Sequence, residues 1–123
     1  MAKIGYVRVS TIDQKTDRQE IALAELGIGK LFIEKVSGKN TEREELKKML
    51  DYVREGDILY IESISRLARS TRDLLSIVLK LQDKKVELIS LKENIDTSTP
   101  QGRFVLTLFG ALSELERESI LQR

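Results

Sequence analysis

The segment Tyr6-Val7-Arg8-Val9-Ser10 sets a hydroxyl and a guanidinium two residues apart in a run of strand-forming residues. In an extended chain, residues two apart share a face. Tyr6, Arg8 and Ser10 therefore point one way and Val7 and Val9 the other. Ser10 falls at the carboxyl end of this strand, the edge of an open α/β sheet at which ligands bind. A strand-end serine is either a nucleophile or a turn residue. A lone strand-end serine is more often a turn residue; Arg8 on the same face shifts that balance, because a buried guanidinium without a partner is costly and a bound phosphate would be such a partner. A second basic cluster is Ser63-Ile64-Ser65-Arg66-Leu67-Ala68-Arg69. Arg66 and Arg69 share a face if this stretch is helical. Taken alone they read as a solvated helix face. Converging with Arg8, their planar, bidentate donors would suit a phosphodiester and its more highly charged transition state.

The elements that must position these side chains alternate along the chain. Ile4 to Val9 reads as a first strand. Thr16-Asp17-Arg18-Gln19 has capping-box spacing and opens a helix to Leu26, stopped by Gly27. Leu31-Phe32-Ile33 is a short second strand. Thr41-Glu42-Arg43-Glu44 is another capping box, leading a helix with Leu46, Met49, Leu50 and Val53 at helical spacing. Arg54 to Asp57 is a turn, and Ile58 to Ile61 a buried-type third strand that also ends at the carboxyl edge. Ser70 or Thr71 caps a helix with Leu74, Leu75, Ile77, Val78 and Leu81 inward. Val86 to Leu91 is a fourth strand, and Lys92 to Ser98 a polar loop. Thr99-Pro100 reads as N-cap and first position of a last helix. Strands separated by helices predict an α/β fold, a mostly parallel central sheet with helices on both faces. The boundaries expected are an α/β core over 1–99 and the start of a long C-terminal helix over 100–123.

The apolar residues of the last helix cover about half its circumference, more than the ~100° stripe that one core needs. Val105, Leu106, Phe109 and Leu112 are therefore candidates for burial by a second subunit. No stop signal precedes Arg123, so the helix is expected to continue.

Composition narrows the chemistry. The 123 residues contain no cysteine, which excludes disulfides and thiolate chemistry and suits a reducing cytosol. They contain no histidine, which excludes a Ser-His-Asp triad and a histidine-built metal site. No apolar run approaches the roughly 18 residues of a membrane span, so no membrane partner is expected. The net charge of +1 is a poor match to DNA binding by charge alone. A DNA footprint would have to be local or lie in a segment outside these residues.

Tyr6-Val7-Arg8-Val9-Ser10-Thr11, Asp13-Gln14, Ser65 to Arg69, Asp96 to Phe104, and Gly110 to Glu118 together closely resemble the resolvase/invertase family of serine recombinases. The resemblance runs in order over essentially the whole chain. It implies a site-specific DNA recombinase, cytoplasmic and encoded by a bacterium or mobile element. In that family, the resemblance implies, the serine of the Tyr-x-Arg-x-Ser block attacks a DNA phosphate, forms a 5′-phosphoserine link and frees a 3′-hydroxyl, which later reverses the attack. Strand exchange takes place in a synaptic tetramer on double-stranded DNA. No metal or nucleotide cofactor is used, because the bond energy is kept in the phosphoserine.

Carried over by position, the resemblance makes Ser10 the nucleophile. Arg8, Arg66 and Arg69 clamp the phosphate, Arg43 matches a further active-site arginine, and Gln14 and Gln19 match supporting polar positions. Homodimers would pair into tetramers through the helix from Pro100 to Arg123, with the main DNA-binding domain beyond this chain. Several residues keep a second reading. Gln19 closes a capping box, Arg43 sits among exposed helix charges, Gln14 could only hold the Ser10 loop, and Tyr6 is as well explained by sheet packing. Ser37, before Gly38, matches a family serine near the site and is equally a turn residue. One departure stands out: Ser65 occupies a position that often holds aspartate in the family, which leaves the general base unassigned. Asp13 and Asp57 lie near strand ends, but nothing selects either.

Two other classes compete. A receiver-like or nucleotide-binding module is disfavoured, because neither a glycine-rich phosphate loop nor an acidic cluster follows the first strand. A recombinase-like fold kept only for protein contacts is disfavoured by the joint presence of Ser10, Arg8, Arg66 and Arg69.

Overall fold

The computed structural model of the chain describes residues 2–10, 24–36, 43–108 and 111. Five strands form one sheet in the order β2-β1-β3-β4-β5. They are β1 (Lys3–Ser10), β2 (Lys30–Val36), β3 (Ile58–Ile61), β4 (Glu87–Ser90) and β5 (Ile95–Asp96). The first four are mutually parallel, and β5 runs antiparallel to β4. Among the described residues the helices are α1 (Glu44–Tyr52), α2 (Ile64–Leu67) and α3 (Thr71–Asp83), with a further helical stretch over 100–108. The α/β architecture with a mostly parallel sheet flanked by helices is the one expected.

Alternation along β1 sorts its side chains as its sequence requires. Ile4 and Tyr6 enter a core built with Leu46 and Met49 of α1, Leu67 of α2, and Leu74, Ile77 and Leu81 of α3. Val7 and Val9 face the other way, against Tyr60, Leu26 and Ile28. Each fully buried Leu or Ile in such a core contributes roughly 1.5–3 kcal/mol.

Helix ends follow local rules with two exceptions. Gly27 takes φ +76°, the left-handed stop expected there. The helix expected over Thr16 to Leu26 otherwise lies mostly outside the described residues. Ser70, not Thr71, caps α3: its hydroxyl accepts from the Asp73 amide at 3.1 Å. At the other end Lys85 adopts φ 60°, with Lys85 N donating to Gln82 O and Val86 N to Leu81 O. That is a Schellman stop made without glycine. Thr99 caps the 100–108 helix as expected, its Oγ1 accepting from Gly102 N at 3.1 Å. Gly102 is obligatory there, since a Cβ would lie 1.9 Å from the Asp96 carbonyl oxygen.

The first exception is α1. Its N-cap is Arg43, in the left-handed region at φ 51°, with no side-chain cap bond. Among the described residues, the Glu45 and Leu46 amides of this helix start are taken by Glu34 of β2, a partner distant in sequence. Thr41 and Glu42, which open the expected capping box, lie outside the described residues. The second exception is the expected polar loop over Lys92 to Ser98, of which Ile95–Asp96 pairs with β4 as a fifth strand. Ile95 buries its side chain there, an anchor that strand length alone could not reveal.

Leu106, expected to be free for a partner, is instead buried in the chain's own core. Val105 packs against that core half-buried, and Phe109 and Leu112 lie outside the described residues. Among the described residues, the large apolar side chains left exposed in this region are Leu79, Phe104 and Leu108.

Candidate active site at the carboxyl edge of the sheet

Parallel pairing brings the carboxyl ends of β1, β2 and β3 to one edge, where the first turns of α1, α2 and α3 also begin. Ser10 is the last residue of β1 and pairs in register with Val36. Its side chain, with Gln14, Gln19, Ser37 and Asp13, lies outside what is described. Arg8, Arg43, Arg66 and Arg69 are all described and belong to this edge.

Arg8 is half-buried, and its Nη2 donates to the Ser65 carbonyl. Arg66 Nη1 reaches back to the Arg8 carbonyl at 3.5 Å. The β1 end and the loop after β3 are thus laced together by two guanidinium-to-carbonyl bonds. Arg66 belongs to α2, but the helix stops at Leu67 and Ala68 is extended at φ −124°, ψ 147°. Arg66 and Arg69 therefore do not share a helix face; the chain turns between them. Burial pulls the Arg8 guanidinium below its ordinary value, and the charges of Arg43, Arg66 and Arg69 add to that pull against an opposing effect of Tyr6. A half-buried guanidinium with three further cations near it marks a site that gains from an anion.

Arg43 is held differently. Its Nη1 and Nη2 bind the two carboxylate oxygens of Asp73 at 2.8 and 2.9 Å, and Nη1 also donates to Leu67 O at 3.3 Å. The Asp73 hydrogen bond raises the Arg43 pKa above its ordinary value, more than burial lowers it. A non-glycine residue at φ 51° costs of order 1 kcal/mol or more, a strain that fixed partners sustain.

Tyr6 is fully buried, and its hydroxyl donates to Glu34 Oε1 over a long 3.4 Å. Burial, with the Glu34 charge behind it, pushes the phenol well above its ordinary value. Tyr6 is a packing residue that also touches the network supporting the edge. Asp57 is no candidate base: it precedes β3 at the opposite edge, and its carboxylate accepts from Ala2 N and Arg54 N. Ser65 is exposed, with its hydroxyl 3.0 Å from that of buried Ser63.

Two carboxylates went unnoticed in the sequence. Glu34 faces the core as part of a strand. Its only signal was a charge alternating with apolar residues in Leu31-Phe32-Ile33-Glu34. Asp73 carried a better one, the Ser-x-x-acid spacing of Ser70 to Asp73 that marks a helix start.

The sequence profile of the family described as Resolvase, N terminal domain, matches residues 3–123. A DNA-invertase of Enterobacteria phage P7 is 48% identical over 120 residues, covering 98% of this chain and 64% of the relative. The serine recombinase gin of Escherichia phage Mu is 46% identical over 120 residues, covering 98% of this chain and 62% of the relative. The chain thus spans less than two thirds of the length of these relatives. Among solved structures, the N-terminal catalytic domain of TP901-1 integrase superposes with a TM-score of 0.81 at 28% identity, covering 96% of this chain and 98% of that one.

Proposed function

Since the chain belongs to the resolvase/invertase family of serine recombinases, we propose that it cuts and rejoins double-stranded DNA in site-specific recombination, with Ser10 as nucleophile. The observation that carries this reading is the gathering of Arg8, Arg43, Arg66 and Arg69 at the strand edge where Ser10 ends β1, with Arg8 bonded to the Ser65 carbonyl and Arg66 to the Arg8 carbonyl. A lone turn serine would have no use for four converging cations.

In the reaction, Ser10 Oγ forms a bond to phosphorus as the bond from phosphorus to the 3′ oxygen breaks. The serine loses its proton and the departing oxygen gains one, leaving a 5′-phosphoserine and a free 3′-hydroxyl. The pentacoordinate transition state carries more negative charge than the diester, and the arginines stabilise that difference. With no histidine in the chain, the same cations lower the serine's effective pKa. Gln14 and Gln19 support the Ser10 loop. After strand exchange in a tetramer the hydroxyl attacks the phosphoserine and restores the diester. The number of phosphate ester bonds is unchanged, so neither metal nor nucleotide is required for energy.

Assembly uses the segment that begins with the helix over 100–108. A groove of about 450 Å³ between α3 and this helix, lined by Leu75, Leu79, Leu106 and Ala111, supports a second copy as its occupant. Exposed Leu79, Phe104 and Leu108 extend the apolar surface.

The test is covalent capture. The full gene product, expressed in its host, should leave protein on 5′ DNA ends at discrete sites, and Ser10→Ala should abolish the adduct while the protein stays folded. An undiminished adduct in Ser10→Ala sinks the assignment.

A further inference from the structure

We propose that Asp73 is the positioning residue that holds Arg43 and the Arg69 peptide ready for the phosphate. The inference rests on the reading of Arg43 and Arg69 as site residues. Asp73 occupies the third position of α3, and its own amide is tied to Ser70 Oγ at 3.1 Å. Its carboxylate faces back toward the edge and accepts three hydrogen bonds. Oδ1 takes Arg43 Nη2 at 2.9 Å, while Oδ2 takes Arg43 Nη1 at 2.8 Å and the Arg69 backbone N–H at 2.9 Å.

One carboxylate therefore joins the strained N-cap of α1 to the turn between α2 and α3, segments that lie 30 residues apart between Arg43 and Asp73. The pair is enclosed, with side-chain exposures of 10% for Arg43 and 20% for Asp73. A planar fork held at both nitrogens in a half-buried setting has little freedom to reorient. The same carboxylate offsets one of the four clustered positive charges, so the cluster can stay assembled before an anion arrives. Burial works against ionisation of Asp73, but the bonds from Arg43 and the Arg69 amide outweigh it and hold the carboxyl below its ordinary range. Asp73 touches no reacting atom in this scheme; it acts through the two arginines.

The experiment uses the full gene product and a supercoiled plasmid carrying the DNA site located by covalent capture. Single-turnover cleavage, plasmid affinity and thermal stability are measured for Asp73→Asn, Asp73→Glu, Arg43→Ala and the Arg43→Ala/Asp73→Asn pair. Asp73→Asn keeps the size of the side chain and removes the charge. It should slow cleavage by about 10- to 100-fold, the usual cost of a misplaced catalytic group, with affinity changed by less than about threefold. Asp73→Glu should recover part of the rate. In the Arg43→Ala background the Asp73→Asn change should cost much less than it does alone. Wild-type cleavage by Asp73→Asn alongside a crippled Arg43→Ala overturns the positioning role and leaves the site reading intact. Wild-type cleavage by Arg43→Ala overturns both. If Asp73→Asn proves unstable, Asp73→Glu decides: a stable Glu variant whose cleavage and affinity fall together overturns the proposal, and one that loses cleavage alone supports it.

Discussion

Glu34, on β2, caps a helix that begins ten residues further on: its Oε1 accepts the Leu46 amide at 3.1 Å and its Oε2 the Glu45 amide at 3.2 Å. Glu34 as a whole residue is 6% exposed. A buried charge of this kind is tolerable because the N-terminus of α1 presents unpaired N–H groups and the positive end of its dipole. The same carboxylate meets the Tyr6 hydroxyl, so the strand bearing Arg8 and Ser10 and the helix start bearing Arg43 converge on one anion.

Glu34→Ala should lower stability by about 2–3 kcal/mol, the sum of two lost cap bonds and a buried hydroxyl left without its acceptor. Tyr6→Phe removes only the long 3.4 Å contact and should cost less than about 1 kcal/mol. Denaturant unfolding of both variants checks the ranking. A Tyr6→Phe variant as unstable as Glu34→Ala would show that the phenol, not the helix cap, is the important partner of Glu34.

Arg8→Ala, Arg66→Ala and Arg69→Ala should each slow DNA cleavage by on the order of 100-fold or more, by analogy with removing one donor from an oxyanion site. Arg8→Lys should not restore the rate, because a lysine cannot reproduce the planar fork that now reaches the Ser65 carbonyl. Single-turnover cleavage assays read this directly. Wild-type rates in Arg66→Ala would make Arg66 a solvated charge whose bond to the Arg8 carbonyl has no catalytic consequence.

The 123-residue chain by itself should self-associate weakly and bind DNA poorly, given its net charge of +1. Replacing Leu79 and Phe104, which are 55% and 63% exposed, with serine should shift sedimentation toward monomer with little loss of stability, since neither belongs to the core. Unchanged sedimentation of that double variant would move the interface elsewhere. Tight, site-specific gel shifts by this chain alone would contradict the expectation of weak binding.

What the sequence determined by itself is whatever short-range geometry controls. The two-residue period of a strand put Tyr6 and Arg8 opposite Val7 and Val9, and the core and the second cluster divide along that line. Gly27 as a left-handed stop, Thr99 as a cap and the apolar rows of α1 and α3 were legible for the same reason: each depends on backbone preferences or on bonds spanning a few residues. The motif blocks around Ser10, Arg66 and Arg69 were legible as a pattern.

Only the tertiary structure decided which distant groups these residues meet. Nothing in a lone glutamate of β2 says that it will cap α1, nor in an aspartate of α3 that it will hold Arg43 from 30 residues away. Carboxylates carry no local mark of their partner. The partner is chosen when packing of apolar faces fixes how the elements cross, and an unpaired N–H or guanidinium then comes within reach. The same packing drew Leu106, expected against a second subunit, into the chain's own core and paired Ile95–Asp96 with β4, because burying Leu106 and Ile95 within the chain removes apolar surface from water, and α2 ends before Arg69.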